Sequence, residues 1–253
     1  MERSIVFLLL ATMLLAAQPA KSQSDDFGMW YEVGVEKKLS KKWNVALEGE
    51  LRTRNDSKTT DRWTVGLSTE YKIVKGLKAS VGYVFLSDNN AEKLTFKSDG
   101  YTPKKWTPGY WSTRHRFTAG LTGSVDWKRF TFSLRERWQY TYRPEYTVDQ
   151  RWSYYDNAYD GKPKTYESKN VHVLRSRLQV EYDKKGLAVT PYASVEFFNG
   201  WSLQKTRFQT GLDWKVSKQH TLGFFYRYQT VRDDEDDLEP NRHMIGIGYK
   251  FKF

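Results

Sequence analysis

Apolar and polar residues alternate with a period of two along most of the chain after residue 26. Between residues 62 and 73 the apolar positions are Trp63, Val65, Leu67, Tyr71 and Ile73, and the intervening positions are small, polar or charged. Residues 77–85 and 222–229 repeat this arrangement. A period of two predicts β-strands that carry one apolar face and one polar face.

Eleven segments carry this alternation, and each has at least the roughly 9 to 11 residues that a tilted strand needs to cross a membrane. They lie near residues 27–39, 43–54, 61–73, 77–87, 114–127, 130–142, 171–183, 187–198, 203–216, 219–231 and 242–253. The sequence therefore predicts an all-β protein without a transmembrane helix after the N-terminal segment.

Short and long connections alternate between these segments. The short ones are near 40–42, 74–76, 128–129, 184–186 and 216–218, and the mostly longer ones are 55–60, 88–113, 143–170, 199–202 and 232–241. Outer-membrane barrels are built in this way, with short turns in the periplasm and long loops outside. We therefore expect an antiparallel transmembrane β-barrel with short periplasmic turns and longer extracellular loops.

The number of strands is left open at ten to twelve. Single-chain bacterial barrels normally have an even number of strands, whereas the alternation marks eleven. Either residues 27–39 do not span fully, or a further strand lies within 88–113 or 143–170.

The apolar face is expected to point outward into lipid. A soluble barrel would have to bury its large aromatic residues in the lumen, and a membrane barrel places them outside around a polar lumen. Aromatic residues also occur near the strand ends, where interfacial girdles lie: Trp43, Trp63, Trp127, Trp138, Tyr140, Tyr142, Tyr182 and Trp214.

The last strand ends on an aromatic residue. Tyr249, Phe251 and the terminal Phe253 alternate with Gly248, Lys250 and Lys252. This arrangement resembles the signal by which outer-membrane barrels are recognised, so the barrel-assembly machinery is an expected partner.

The N-terminus is predicted to be a secretory signal peptide. Arg3 is followed by an apolar stretch and then by Ala20-Lys21-Ser22, which has small residues at the two positions that a signal peptidase inspects. The apolar stretch is shorter than the roughly 20 residues of a membrane-crossing helix. We expect residues 1–22 to be cleaved and residues 23–253 to form one domain in the outer membrane. The absence of cysteine excludes disulfides, thiolate metal sites and lipoprotein attachment.

The chain is basic, with 41 Lys and Arg against 30 Asp and Glu. An exported protein without a compact basic motif seldom meets nucleic acid. Outer-membrane lipid, lipopolysaccharide or a small anionic solute is the expected partner.

Charged residues recur on the polar face, which should line the lumen. The candidate constriction residues are Arg52, Arg116, Arg135, Arg137, Arg175, Arg177, Arg207, Arg227, Glu48, Glu50, Glu70 and Glu196. One interpretation is an arginine-lined pore or binding barrel that selects small anions. The other is a closed barrel whose lumen charges pair with each other. Glu136 lies two residues after apolar Leu134, so an unbroken strand would place it on the apolar face. We therefore expect a bulge or a register change at Glu136.

Catalytic chemistry finds little support. A serine hydrolase needs a histidine within reach of a serine, and only Asp88 and His115 are loosely placed for an acidic protease. We predict no catalytic residue, no cofactor and no metal site, and an outer-membrane lipid hydrolase is the remaining enzymatic alternative.

Two of the expected extracellular loops are rich in aromatic rings, which could stack on a glycan or pack against each other. The candidates are Trp106, Tyr110, Trp111, Trp152, Tyr154 and Tyr155. A third loop carries the acidic run from Asp233 to Asp237, which is either a solvated loop or a cation site.

The segment Trp30 to Leu39, with Lys41-Lys42-Trp43 and then Glu48 to Arg52, resembles the opening of the family known as domain of unknown function 2490. The similarity continues through Arg62 and Glu70-Tyr71-Lys72. The resemblance implies a barrel of Bacteroidetes-type outer membranes, and it brings no established activity.

Overall fold

The computed structural model describes residues 25–183, 187–232 and 240–253. The predicted signal peptide, the turn at 184–186 and the acidic run from Asp233 to Asp237 lie outside the described residues.

Within the described residues the chain forms strands joined by turns and irregular segments. The strands are β1 (Asp26–Lys38), β2 (Trp43–Arg54), β3 (Thr59–Val74), β4 (Leu77–Asn90), β5 (Lys93–Phe96), β6 (Pro103–Thr107), β7 (Tyr110–Trp127), β8 (Phe130–Arg143), β9 (Tyr146–Val148), β10 (Trp152–Ser153), β11 (Ala158–Tyr159), β12 (Lys164–Tyr166), β13 (Lys169–Tyr182), β14 (Val189–Asn199), β15 (Leu203–Lys215), β16 (His220–Val231) and β17 (Arg242–Lys252). No helix in the described part of the chain is long and apolar enough to cross a membrane.

Eleven of these strands close into one barrel, in the order β1-β17-β16-β15-β14-β13-β8-β7-β4-β3-β2. They are the eleven strands that the alternation predicts, and the all-β barrel expected from the sequence is confirmed. In these long strands every second side chain is apolar and points outward. The register that keeps these side chains in lipid also lets the backbone groups form hydrogen bonds along the whole ladder.

The barrel closes through a parallel pair. Strand β1 pairs with β17 in the same direction, from Asp26 opposite Arg242 to Glu36 opposite Lys252, whereas the other neighbours are antiparallel. An odd number of strands requires this parallel seam. Neither way of restoring an even number holds, because β1 spans the full wall and the small strands between residues 91 and 168 stay outside the barrel.

The large apolar side chains face outward. Trp43, Trp127, Trp138 and Trp214 are exposed on the outer surface, as the alternation predicts. Glu136 also lies on this surface, beside Leu134 and Trp138, and accepts a hydrogen bond of 2.7 Å from the hydroxyl of Ser176.

The expected bulge at Glu136 is absent. The ladders of β8 with β7 and with β13 run through Glu136 without a register shift. Glu136 therefore lies on the outer face, as its position in the alternation indicates. Its carboxyl group accepts a hydrogen bond from Ser176 there and is not turned into the lumen.

A small apolar cluster packs the inside of the seam. Trp30 on β1, Phe225 on β16 and Met244 on β17 are buried together, with Tyr192 against them. The rings of Trp30 and Phe225 meet edge to face at 6.4 Å between centroids. This cluster occupies one side of the lumen and leaves the rest to polar side chains.

The loops at the long-loop end of the barrel pair with each other. Strands β11, β10, β6 and β5 form a four-stranded sheet, and β12 pairs with β9. Lys105 and Asp160 form an ion pair of 2.6 Å between the two loops. Hydrogen bonds from Thr102 and from the backbone of Tyr101 lower the pKa of Asp99 to about 2, so the turn between β5 and β6 remains negatively charged.

Candidate binding lumen

A cavity of about 1550 Å³ runs inside the barrel. All twelve charged residues predicted for the lumen line it, which places them on the inner wall. They come from eight strands: Glu48, Glu50 and Arg52 from β2, Glu70 from β3, Arg116 from β7, Arg135 and Arg137 from β8, Arg175 and Arg177 from β13, Glu196 from β14, Arg207 from β15 and Arg227 from β16.

The cavity wall is electropositive. Among the described residues, eleven arginines and six lysines line it against nine carboxylates. The lysines are near the ends of their strands: Lys78, Lys215, Lys250 and Lys252 at the short-turn end, and Lys169 and Lys205 at the long-loop end. The positive charge of the middle section therefore comes from arginine alone.

Trp30 supports three of these arginines. Its ring is 2% exposed, and the guanidinium carbons of Arg52, Arg227 and Arg207 lie 3.4, 3.7 and 5.4 Å from its centroid. A guanidinium group that stacks on an aromatic face is held in place by cation–π attraction. It loses few of its hydrogen bonds in this position, because its N–H donors lie around the edge of the plane. Trp30 thus fixes a cluster of like charges at the seam.

Glutamine side chains accept hydrogen bonds from two of these three guanidinium groups. Arg227 donates to Oε1 of Gln209 at 2.9 and 2.7 Å, and Arg207 donates to Oε1 of Gln229 at 2.8 Å. These acceptors are neutral. The arginines are therefore hydrogen-bonded without losing the net positive charge of the wall.

Four arginines form a compact group on β8 and β13, and we call them the arginine quartet. Arg135 is opposite Arg177, and Arg137 is opposite Arg175, in the antiparallel register. Glu196 on β14 bridges one diagonal, with Oε1 at 2.7 Å from Arg135 and Oε2 at 2.8 Å from Arg175. Within the described chain no ion pair joins Arg137 or Arg177 to a carboxylate.

Other charges at the long-loop end are paired. Asp88 on β4 binds both Arg62 and Arg114, and Arg242 on β17 binds Asp26 at 2.9 Å and Asp61 at 2.8 Å. Three of these pairs join neighbouring strands, and the pair of Arg242 with Asp61 reaches from β17 past β1 and β2 to β3. The rim is therefore braced, while the middle of the lumen keeps its excess charge.

The histidines face away from the lumen. His115 stacks on Tyr83 and accepts or donates a hydrogen bond of 2.7 Å with its hydroxyl, and His172 stacks on Trp138. Asp88 faces inward, so Asp88 and His115 lie on opposite sides of the wall and are not brought together. In the described ranges no cluster of three or more His, Asp or Glu side chains is arranged to hold a metal ion.

The aromatic residues predicted for the loops divide into packed and open rings. Tyr110 stacks on Tyr146 at 4.6 Å between centroids, Trp106 donates to Glu92 at 2.9 Å, and Trp152 meets Tyr159 edge to face at 5.1 Å. Tyr110 and Trp111 are the first residues of β7 and not loop residues.

Tyr154 and Tyr155 are the predicted loop residues whose rings are left most open. Tyr155 is 81% exposed and Tyr154 is 48% exposed. The predicted assembly residues Tyr249, Phe251 and Phe253 share the outer face at the short-turn end, where Phe251 stacks on Phe253 at 5.6 Å between centroids.

Sequence reasoning missed Trp30 as a lumen residue. Its parity with Glu32, Gly34 and Glu36 is the signal that could have revealed it, because those residues mark the inner face of β1. Arg62 and Arg114 were not among the candidate constriction residues, although each shares the parity of lumen residues on its own strand and lines the cavity.

Solved structures with a similar fold are outer-membrane proteins. The β-domain of the Bordetella autotransporter BrkA is 13% identical, with 84% of this chain and 82% of that chain covered and a TM-score of 0.50. The translocator domain of the autotransporter NalP from Neisseria meningitidis is 10% identical, with 89% and 91% covered and a TM-score of 0.51. Identities this low show the outer-membrane β-barrel fold and nothing further.

A structure described as the CymD monoaromatic hydrocarbon channel is 9% identical, with 81% of this chain and 82% of that chain covered and a TM-score of 0.41. No curated protein matches this chain. The profile of one protein family, described as "Protein of unknown function (DUF2490)", matches residues 27–239. The resemblance found at the start of the chain is confirmed over most of its length, and the chain belongs to this family.

Proposed function

We propose that this protein is an outer-membrane barrel that binds a small anionic solute in its lumen and conducts it as a narrow, anion-selective pore. The observation that carries the proposal is the charge of the cavity wall, where basic side chains outnumber carboxylates in a space of about 1550 Å³. Rings of arginine or lysine in a pore favour negative solutes.

The fixed position of the arginines supports the same function. Arg175 and Arg207 flank the ring of Phe198, with each guanidinium carbon 4.6 Å from its centroid. Charges that are already held in place need little reorganisation when an anion arrives, which favours binding.

Residence in the outer membrane, after cleavage of residues 1–22, is part of the proposal. The exposed belt of Leu47, Leu67, Leu121 and Leu178 suits a bilayer and would be a liability in water. Outer-membrane lipid and lipopolysaccharide would then contact the outer face, and the barrel-assembly machinery would insert the chain.

The test is the single-channel conductance of the refolded protein in planar bilayers under a gradient of KCl. We expect discrete openings with a reversal potential that indicates chloride selectivity. The Arg135→Ala/Arg137→Ala double variant should be less selective, because it removes two charges from the middle of the lumen. A correctly folded barrel that shows no conductance above background would contradict the pore.

The second candidate is a closed barrel that binds a glycan through its loops and transports nothing. Open rings at the long-loop end favour it, since Tyr101 is 86% exposed and Tyr155 is nearly as open, and flat rings stack on sugars. A glycan array with the purified protein would test this function, and an array without hits would count against it. No catalytic role is proposed.

A further inference from the structure

The arginine quartet places like charges directly opposite each other twice in succession. Arg135 is opposite Arg177, and Arg137 is opposite Arg175. Directly opposed like charges destabilise a pair of strands. Two such pairs lie only two residues apart along β8 and β13. Their four positive charges need compensating negative charge, and Glu196 supplies only one negative charge.

The quartet also has unused hydrogen-bond donors. The Nε atoms of Arg135, Arg137, Arg175 and Arg177 are all buried and have no acceptor. A buried donor on a charged group that lacks an acceptor is costly. Glu48 on β2 also lines the cavity, but no ion pair within 4 Å joins it to Arg137 in the described chain.

The diagonal of the quartet that Glu196 does not bridge, from Arg137 to Arg177, has a geometry that suits an oxyanion. In an antiparallel ladder, diagonal neighbours such as Arg137 and Arg177 lie roughly 7–8 Å apart at the backbone, so two long side chains can converge on one group. Each guanidinium presents its donors in a planar fork that matches carboxylate, sulfate and phosphate oxygens, which a lysine does not. The middle of the lumen uses arginine alone.

The charge balance favours a doubly charged anion. Four guanidinium groups and one carboxylate leave three positive charges in a wall with little access to water. A halide or a simple carboxylate would neutralise one of them, whereas sulfate or a phosphate group would neutralise two and accept several hydrogen bonds at once.

We infer that the arginine quartet is a binding site for a doubly charged oxyanion, a phosphate or sulfate group, held between Arg137 and Arg177. Glu196 holds Arg135 and Arg175 in place beside it. The inference rests on the proposed anionic solute and specifies its chemistry. The group enters either as a free ion or as part of a larger solute such as a sugar phosphate.

The experiment is isothermal titration calorimetry of the refolded full barrel in detergent micelles at about 0.1 M ionic strength and pH 8, where a phosphate monoester carries two charges. The probes are sodium sulfate, inorganic phosphate, glucose 6-phosphate and, as a singly charged reference, sodium acetate. We expect saturable binding of one sulfate or phosphate group per barrel, and acetate should bind roughly tenfold or more weakly.

Two variants and a control locate the site. Arg137→Gln/Arg177→Gln should weaken sulfate binding roughly tenfold or more, because each substitution removes a charge-assisted donor. Arg137→Lys/Arg177→Lys keeps both charges and loses the forks, so it should also bind sulfate more weakly than the parent. Lys215→Gln/Lys250→Gln removes two charges at the short-turn end and should leave the affinity within about twofold. Circular dichroism confirms that each barrel is folded.

The outcomes separate this site from the proposed pore. Chloride-selective conductance without saturable sulfate or phosphate binding would overturn the oxyanion site and leave the pore standing. Equal weakening in the quartet variant and the control would also overturn it, since the effect would then be one of general charge. Tighter binding of glucose 6-phosphate than of inorganic phosphate would support the site and identify a larger solute.

Discussion

Glu196 is the carboxylate on which the arginine quartet depends. It bridges Arg135 and Arg175 from a buried position on β14. Removal of one partner from a buried ion pair leaves the other charge uncompensated, which costs more than the pair itself contributes. Glu196 therefore stabilises the wall, and its negative charge also repels an anion bound beside it between Arg137 and Arg177.

Glu196→Gln is expected to have opposite effects on stability and on binding. The free energy of unfolding should fall by about 3–5 kcal/mol, because four guanidinium groups then face each other without a carboxylate. Sulfate affinity should rise, since the neighbouring negative charge no longer repels the anion. Urea denaturation in phospholipid vesicles and calorimetry with sulfate measure the two effects. Loss of both stability and affinity would mean that Glu196 positions the anion instead of repelling it.

The position of each lumen residue could be predicted from the sequence, but its partner could not. Alternation decides on which face a side chain lies, and this places Glu196 and Arg135 inside the barrel. Their contact spans two neighbouring pairs of strands, β8 with β13 and β13 with β14. It depends on the register of both ladders and on side-chain rotamers, which no pattern along the chain specifies.

Strand β8 carries a carboxyl group on its lipid-facing side. Glu136 lies between Leu134 and Trp138 on the outer surface and has Ser176 on β13 as its hydrogen-bond partner. Charged residues on the lipid face of a barrel destabilise it to a degree that depends on depth, and acidic residues do so less than basic ones. The contact with Ser176 reduces this cost, since the carboxyl group is not left unsatisfied.

Glu136→Leu is expected to stabilise the barrel. The change replaces a polar group with an apolar one of similar size on the lipid face, so the free energy of unfolding in vesicles should rise by about 1 kcal/mol. Ser176→Ala serves as the comparison and should lower it, because the carboxyl group then loses its partner. If Glu136→Leu destabilised the barrel instead, Glu136 would have to contact something other than lipid.

The long strands were predictable and the small ones were not. Strands such as β7 and β8 alternate over more than ten residues, and a long repeat identifies a strand well. The short strands β10 and β11 have two residues each, which is too short for any period. They exist because two loops meet above the barrel, and contact between loops is a tertiary effect.

The parallel seam sets the architecture of the whole barrel. Strand β1 lies between β17 and β2. Its residue Gly28 approaches the backbone of β2 closely. A Cβ atom at Gly28 would lie 2.1 Å from the backbone carbonyl oxygen of Thr53. Thr53 follows a register shift in the ladder between β2 and β3, and its hydroxyl accepts a hydrogen bond of 2.7 Å from the backbone N–H of Met29.

Gly28→Ala is therefore expected to weaken the closure of the barrel. The backbone of β1 or β2 must shift to admit the methyl group, and overpacking of this kind costs about 1–3 kcal/mol. The fraction of refolded protein that resists unfolding in detergent gels should fall. Gly123→Ala is the matched control, since a Cβ atom there meets nothing within 4 Å. Equal loss in both variants would place the effect in strand propensity and not in the close contact between β1 and β2.

An odd number of strands also places the start of β1 and the end of β17 at opposite ends of the barrel. Asp26 begins β1 beside Arg242 at the long-loop end, whereas Phe253 follows β17 at the short-turn end. A short peptide cannot join these ends, so circular permutation would need a linker that crosses the full thickness of the membrane. Reporter tags fused directly before β1 and directly after β17 would accordingly label opposite faces of the membrane, and an even-stranded barrel would present both on the same face.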